Sequence, residues 1–202
     1  MNPALDLALR PWIAGWLIAA ITLSAFFRGR AARAGGEVSR AAEPLAIRIP
    51  LRAGALLFAA GLLAWVIDSR WMARAALPLP PALRVSAVFV VWALLAGQIW
   101  VFRSLGRNIT DTVTVRSEAT LVTRGPYRWM RHPLYTFGFA GFACLGLAAA
   151  NAALIGAALV AIALIRARTP IEERMLVERF GDDYLDYMLH TPRWLPRAPK
   201  GI

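Results

Sequence analysis

The feature that most constrains this chain is an apolar stretch at residues 133–165, which holds 33 residues and no formally charged side chain. As one straight helix it would be about 50 Å long, well beyond the roughly 30 Å hydrocarbon core of a bilayer. Asn151 is the only amide in the stretch and lies near its middle. Since amide side chains favour turns, the sequence predicts two helices joined by a tight hairpin at residues 150–152.

Three earlier segments are also uncharged and apolar, and they cover residues 11–27, 53–67 and 85–102. Each approaches the thickness of a bilayer core at about 1.5 Å per residue. A chain of 202 residues that is 58% hydrophobic has more apolar side chains than one water-soluble core can bury. We therefore predict one all-α integral membrane bundle over residues 1–202. It has about five transmembrane helices, three of them in residues 1–102, and the last two form the hairpin.

The distribution of arginine predicts the orientation, because basic residues beside membrane spans are retained in the cytoplasm. On one side the predicted loops carry Arg28, Arg30, Arg33, Arg40, Arg48, Arg103, Arg107, Arg116, Arg124, Arg128 and Arg131. The other side carries only Arg10, Arg70, Arg74 and Arg84. The N-terminus is therefore predicted outside and the C-terminus in the cytoplasm. A composition rich in alanine and arginine favours a bacterial inner membrane.

The remaining composition argues against two classes of partner. The net charge of +11 is accounted for by topology and by attraction to anionic lipid, so we expect the lipid bilayer and no nucleic acid as a partner. Cys144 is the only cysteine, and His132 and His190 are the only histidines. Protein-built zinc and di-iron sites need three or four such ligands or a carboxylate array, so no metal site is predicted.

Beyond residue 165 the sequence becomes charged, and two short cytoplasmic helices are predicted there. The run Thr169-Pro170-Ile171-Glu172 has the form of a helix start, with Thr as N-cap and Pro at the first helical position. This helix is expected to end at Gly181. A second one follows over residues 182–189, and one face of it carries Tyr184, Tyr187 and Met188.

The loop before residue 133 and the tail carry complementary chemistry. The loop alternates cations with aromatic rings, and its members are Arg124, Tyr127, Arg128, Trp129, Arg131, His132 and, just after it, Tyr135. Such a set suits an anion attached to a flat ring. Arg168 and Glu172 are four residues apart, so they share a helical face. A ligand with a ring, an amine, a carboxylate and a cationic centre fits, as S-adenosylmethionine does and, more loosely, a nucleotide.

The order of motifs in the C-terminal part carries a resemblance. GPYRWMRHPLY at residues 125–135 is followed by Glu172-Glu173, Phe180-Gly181, two tyrosines three apart and a final Arg-x-x-Pro. This pattern resembles the isoprenylcysteine carboxyl methyltransferase family, and phospholipid methyltransferases share much of it. The resemblance covers roughly residues 119–196. It implies a membrane methyltransferase that uses S-adenosyl-L-methionine, releases S-adenosyl-L-homocysteine, and binds the cofactor in residues 103–202 at the cytoplasmic face.

The same resemblance assigns roles to individual residues. It implies cofactor contacts from Ala119, Thr120, Leu121, Val122, Tyr127, His132, Pro133, Leu134, Tyr135 and Glu172. Arg168 matches the position that holds the substrate carboxylate, and Arg168, Glu172 and His132 form the implied catalytic set. The implied reaction is an in-line displacement at a sulfonium methyl, aligned by Arg168. Pro170 and Ile171 stand where prenylcysteine enzymes carry a more acidic run, so another lipophilic acceptor remains open.

Other interpretations of these residues also remain open. A phospholipid N-methyltransferase would need a base for its amine, and His132 or Glu172 is the nearest candidate. Sterol-reductase-like membrane enzymes that use NADPH carry a similar arginine-histidine-proline-aromatic segment, although the Glu172-Glu173 pair favours methyl transfer. A non-catalytic membrane scaffold would leave the motif unexplained. Without a catalytic role, Glu172 would be the capping acid of the tail helix and Arg168 a snorkelling side chain.

Overall fold

The computed structural model describes residues 2–33, 45–109 and 120–196, and within these ranges the regular structure is helical. The α-helices are α1 (Pro3–Arg33), α2 (Leu45–Ile67), α3 (Pro81–Leu105), α4 (Pro133–Ala148), α5 (Ala152–Phe180) and α6 (Asp182–His190). Short 3-10 turns cover Ser69–Ala75, Gly106–Asn108 and Gly125–Arg128. The predicted all-α architecture is confirmed.

Four helices, α1, α2, α3 and α5, are long and apolar enough to cross a membrane. The fifth predicted span, α4, has 16 residues and is therefore about 24 Å long, shorter than a full crossing. The outer faces of the bundle expose large apolar side chains, among them Leu56 at 72%, Phe89 at 71% and Leu159 at 60%. Apolar surface on this scale is stable in lipid rather than in water, and the bundle is that of an integral membrane protein.

The hairpin between α4 and α5 lies where the sequence places it. Ala150 takes a positive φ of 49°, which reverses the chain direction. The Asn151 side chain caps α5 by accepting hydrogen bonds from the backbone N–H groups of Ala153 at 3.1 Å and Leu154 at 3.2 Å. Its amide nitrogen donates to the Met72 carbonyl at 3.0 Å. One buried amide therefore fixes the hairpin and ties it to the segment between α2 and α3.

The core lies between the helices of the bundle. The Trp16 indole on α1 is buried and donates a hydrogen bond to the Val91 carbonyl on α3 at 3.0 Å. Gly97 on α3 lets α4 approach closely, because a Cβ there would lie 3.0 Å from the Phe137 ring. Buried members from the five long helices include Leu9, Ile13, Phe58, Leu62, Trp65, Val88, Leu95, Leu145, Leu154 and Ala158.

The predicted helix start at residues 169–172 is wrong, because α5 continues without a break from Ala152 to Phe180. Pro170 lies inside the helix, where it removes one backbone hydrogen bond. The Thr169 hydroxyl donates to the Ile165 carbonyl at 2.7 Å, as a helix-interior threonine does, and not to a cap position. Burial of Ile165, Thr169 and Glu173 on one face holds the helix together across the proline. Glu172 is therefore not a capping acid.

The end of the tail follows the prediction. Gly181 has φ 56° and its N–H donates to the Val177 carbonyl at 2.8 Å, which terminates α5. Helix α6 begins immediately afterwards, and Tyr184 and Tyr187 are buried on its inner face. Burial raises the pKa of both phenols above the ordinary value. Helix α6 therefore docks on the bundle and does not extend away from it.

Candidate functional site

The approach to α4 is shaped by a glycine and two prolines. Gly125 has φ 64°, and a Cβ at this position would collide with the Ser104 hydroxyl, so the turn over Gly125–Arg128 requires glycine. Pro126 is buried. Pro133 occupies the first helical position of α4, with His132 as the preceding residue. The backbone therefore delivers the His132 ring to the inner side of the α4 start, where it is 5% exposed.

Glu173 on α5 joins three segments. It is 3% exposed, and its Oε1 accepts from Arg131 Nε at 2.9 Å and lies 3.1 Å from His132 Nε2. The same carboxylate accepts from Arg193 Nε at 3.2 Å, and Arg193 Nη2 forms a shorter ion pair with Oε2. Arg131 also donates to the carbonyls of Met188 and Thr191 at the end of α6. Glu173 therefore connects the α4 approach, α5 and the chain after α6.

The segment after α6 lies along the start of α4. Backbone hydrogen bonds run from Arg131 N to Pro192 O at 2.9 Å and from His132 N to Arg193 O at 3.1 Å. The Thr136 hydroxyl donates to the Trp194 carbonyl at 2.8 Å. As a result the Trp194 ring lies against His132, with 5.7 Å between the ring centroids. The C-terminal segment thus forms one wall of the site.

Glu172 faces a different environment from its neighbour. Tyr135 Oη donates to Glu172 Oε2 at 2.6 Å, and His132 Nδ1 lies 4.0 Å from the same oxygen. The Glu172 side chain is 27% exposed, whereas that of Glu173 is 4% exposed. The guanidinium carbon of Arg168 lies 6.0 Å from the Tyr135 ring centroid. The implied catalytic residues His132, Arg168 and Glu172 therefore converge around Tyr135.

The aromatic side chains of the site are arranged as flat surfaces. The His132 and Tyr135 rings stack with 5.5 Å between centroids and an angle of 4° between planes. Tyr127 belongs to the same group, since burial and the nearby Glu172 carboxylate both raise the pKa of its phenol well above the ordinary value. Its carbonyl accepts a hydrogen bond from the Tyr187 hydroxyl at 2.6 Å. This contact ties Tyr127 to α6.

Leu134 and Pro133, which the resemblance also implies in cofactor contacts, pack within the protein. Leu134 points to the ends of α1 and α3, where it packs with Ala31, Phe102 and Ile109. Pro133 is buried at the start of α4. Both residues orient the helix that carries Tyr135.

The segment before Gly125 is only partly described. Thr120 is exposed, and its carbonyl accepts from the Asn108 side chain at 2.9 Å. Leu121 and Val122 are half-buried. Ala119 lies outside the described residues. Their part in a cofactor site stays a prediction.

The sequence motifs include Glu173, beside Glu172, and Arg193, the arginine of the final Arg-x-x-Pro, but no site role is predicted for either. A usable signal was present: Glu173 follows Thr169 by four residues and Ile165 by eight, which is the spacing of one helical face. That signal requires a continuous α5, and the proline at position 170 argued against one. Trp194 and Thr136 carried no such signal, because their pairing joins segments 58 residues apart.

Known proteins resemble this chain most clearly in the region that carries the site. The model of the isoprenylcysteine carboxyl methyltransferase (ICMT) family matches residues 86–178. Mouse protein-S-isoprenylcysteine O-methyltransferase is 38% identical over 84 residues, which cover 41% of this chain and 29% of that protein. The nickel-cobalt-cadmium resistance protein NccN of Alcaligenes xylosoxydans xylosoxydans is 34% identical over 85 residues, 42% of this chain and 40% of that protein. The matches thus cover less than half of the length of these two relatives.

A solved structure shares the fold. The eukaryotic intramembrane Ras methyltransferase, isoprenylcysteine carboxyl methyltransferase, superimposes with a TM-score of 0.55 at 23% identity, over 72% of this chain and 51% of that one. The family match ends at residue 178 and therefore includes Tyr127, His132, Tyr135, Arg168, Glu172 and Glu173. Residues 86–178 therefore match the isoprenylcysteine carboxyl methyltransferase family, and the chain shares the helical fold of that solved structure.

Proposed function

We propose that this chain is an integral membrane methyltransferase that uses S-adenosyl-L-methionine to methylate the carboxylate of a lipophilic, isoprenylcysteine-like acceptor. The match of residues 86–178 to the isoprenylcysteine carboxyl methyltransferase family supports the reaction class. The single observation that carries the proposal is the pairing of two side chains at one place. Glu172 is a partly exposed carboxylate oriented by Tyr135, and Arg168 is a cation over the same tyrosine ring.

The residues present fit the methyl donor. A carboxylate such as Glu172 accepts hydrogen bonds from an amine or from ribose hydroxyls. The faces of Tyr135, His132 and Trp194 suit an adenine ring and a sulfonium cation. When bound, S-adenosyl-L-methionine supplies an electrophilic methyl group on a positively charged sulfur. Buried walls around Glu172 would exclude water from it, since water would compete as nucleophile.

Arg168 and His132 would act on the methyl acceptor in different ways. Arg168 is 8% exposed and would hold a carboxylate nucleophile in a fixed orientation, for which no proton transfer is needed. We assign the ring N–H of His132 to Nε2, which lies 3.1 Å from Glu173 Oε1, and in this tautomer the lone pair of Nδ1 lies on the side of Glu172. An amine acceptor would use Nδ1 or Glu172 as its base. The same residues would thus support O-methylation of a carboxylate directly, and N-methylation of an amine after one proton transfer.

We also infer how the site is placed in the cell. The arginine distribution supports a cytoplasmic site, an external N-terminus and insertion in a bacterial inner membrane. Residues 1–102 would supply three membrane helices, and residues 103–202 the cofactor-binding catalytic part. The Arg168 side of α5 would then face acceptors that arrive from the inner leaflet.

Replacing Glu172 by alanine is expected to weaken binding of S-adenosyl-L-homocysteine by about 10- to 100-fold, the loss of a hydrogen bond to a charged group. Calorimetric titration of the detergent-solubilised protein measures this. Glu178→Ala is the matched control, because Glu178 is exposed on the same helix. Binding of NADPH in place of S-adenosyl-L-homocysteine, or unchanged affinity in Glu172→Ala, would refute the proposal.

Replacing Arg168 by alanine is expected to preserve that affinity and to slow methyl transfer to a carboxylate on the order of 100-fold, because the nucleophile is no longer aligned. The assay transfers radiolabelled methyl to an S-farnesylated cysteine acid, a fatty acid or phosphatidylethanolamine. Arg166→Ala is the control, since Arg166 is exposed and two residues away. Equal losses in both variants, or undiminished transfer in Arg168→Ala, would remove the assigned role of Arg168.

A further inference from the structure

A separate cavity of about 600 Å³ lies between the ends of α1 and α3. Its walls are aromatic. Phe26 packs edge-on against Phe27, and Phe27 stacks on Phe102, with 5.3 Å between centroids in both pairs. Phe102 is buried, whereas Phe26 is 59% exposed. The inner wall of the cavity is therefore the buried Phe102 ring, and the cavity opens beside the exposed Phe26 on the outer side of the bundle.

Two arginines form the rim of this cavity. Arg30 is in the last turn of α1 and Arg103 in the last turn of α3, and both side chains are exposed. Within the described ranges neither guanidinium takes part in an ion pair. Two guanidiniums that face one opening create a site for an anion, and guanidinium geometry matches the oxygens of a phosphate. The opening combines that anion site with an apolar interior.

A second cavity of about 470 Å³ continues along α1. It is lined by Gly15, Ile18, Ala19, Thr22, Leu23 and Phe26, a face that repeats every three or four residues. Phe26 lines both cavities, so they adjoin. From Gly15 to Phe26 the helix rises about 16 Å, which is about half of a roughly 30 Å hydrocarbon core. This face therefore spans one leaflet and ends at the arginine pair.

We propose that the Arg30–Arg103 cavity and the Gly15–Phe26 face of α1 together bind one anionic phospholipid of the surrounding membrane. Its phosphate lies between the two guanidiniums, and one acyl chain lies along α1. Basic pockets between membrane helices recognise anionic headgroups through such an arrangement. The site is distinct from the Glu172 and Arg168 pair, because neither of these residues nor Tyr135 lines either cavity.

Native mass spectrometry of the full chain in detergent tests the proposal. The probes are phosphatidylglycerol and phosphatidylcholine with identical acyl chains. Wild-type protein is expected to bind one phosphatidylglycerol in preference to phosphatidylcholine. The double variant Arg30→Gln/Arg103→Gln is expected to bind it about 30-fold more weakly, the effect of two cations near an anionic surface. Arg52→Gln/Arg166→Gln removes two exposed arginines elsewhere and should keep wild-type affinity.

A second variant tests the acyl-chain part independently of charge. Thr22 is exposed on the α1 face, so Thr22→Trp should fill the face without disturbing the fold and should weaken binding of phosphatidylglycerol. Equal affinity for the two lipids, equal losses in both double arginine variants, or full affinity in Thr22→Trp would overturn the proposal. Preferential binding of an S-farnesylated cysteine acid with the same dependence on the two arginines would also overturn it, and would assign the cavity to the methyl acceptor.

Discussion

Glu173→Ala is expected to destabilise the protein by about 3–5 kcal/mol, the cost of breaking a buried ion pair by removing one partner. The Arg131 side chain is 8% exposed and that of His132 is 4% exposed, and both face this carboxylate. Without it, the Arg131 charge stays buried with carbonyl partners alone. The segment after α6 also loses its ion pair through Arg193. The expected result is a lower unfolding midpoint in detergent and faster proteolysis after α6.

The neighbouring glutamate is the matched control for this change. Glu172→Ala removes the same atoms from the adjacent position, but the Glu172 side chain is more exposed and accepts a hydrogen bond from Tyr135 instead of joining a buried ion pair. It should leave the unfolding midpoint close to that of the wild type and lose ligand affinity. Glu173→Ala should lose both stability and ligand binding, because His132 and Trp194 are no longer held. If the two variants had the same midpoint, Glu173 would not be the structural acid of the pair.

The second large effect is expected at the opposite end of the bundle, where Arg84 on α3 pairs with Asp6 on α1. Each residue is 3% exposed, and Arg84 Nη2 lies 2.6 Å from Asp6 Oδ1. Arg84 Nε donates to the Ala148 carbonyl at 2.9 Å, so the pair also holds the end of α4. Arg84→Met would leave the Asp6 carboxylate buried without its cation, and a loss of about 3–5 kcal/mol is expected. Thermal unfolding followed by tryptophan fluorescence measures it.

Two further variants separate a charge effect from a packing effect at this pair. Asp6→Leu/Arg84→Met replaces both charges by apolar groups and should recover most of the lost stability. The reason is that the attraction within a buried ion pair seldom exceeds the cost of desolvating its two charges. Arg70→Met breaks the exposed pair with Asp68 and should change the midpoint far less. A double variant as unstable as Arg84→Met would show that the loss comes from packing and not from an uncompensated charge.

The sequence predicts most of the helices correctly because the signals are local. Hydropathy over residues 85–102 marks α3, and Asn151 marks the hairpin, since a single amide in a long apolar run has few other roles. Gly181 ends α5 for the same kind of local reason. The prediction fails at Pro170, where the local signal for a helix start is overridden by burial of the flanking face.

For the implied site too, the sequence indicates some residues and leaves other assignments open. The resemblance implies that His132, Arg168 and Glu172 form one catalytic set, and in the structure these three residues lie around Tyr135. The sequence could not divide the roles of Glu172 and Glu173. Adjacent residues on a helix point about 100° apart, and only the docking of α5 against the α4 approach decides which of them is buried.

What the sequence by itself determined is therefore the membrane setting, the helices and the region that carries the family motif. These properties depend on the transfer of apolar residues into lipid and on turn chemistry within a few residues. Only the tertiary structure decided that Glu173 is buried against Arg131 and His132, that Glu172 is the more exposed neighbour beside Tyr135, and that Arg84 pairs with Asp6 across 78 positions. Those assignments depend on which buried charged side chains contact one another. Inside the bundle the dielectric constant is low, so each such contact has a large effect on the free energy of folding.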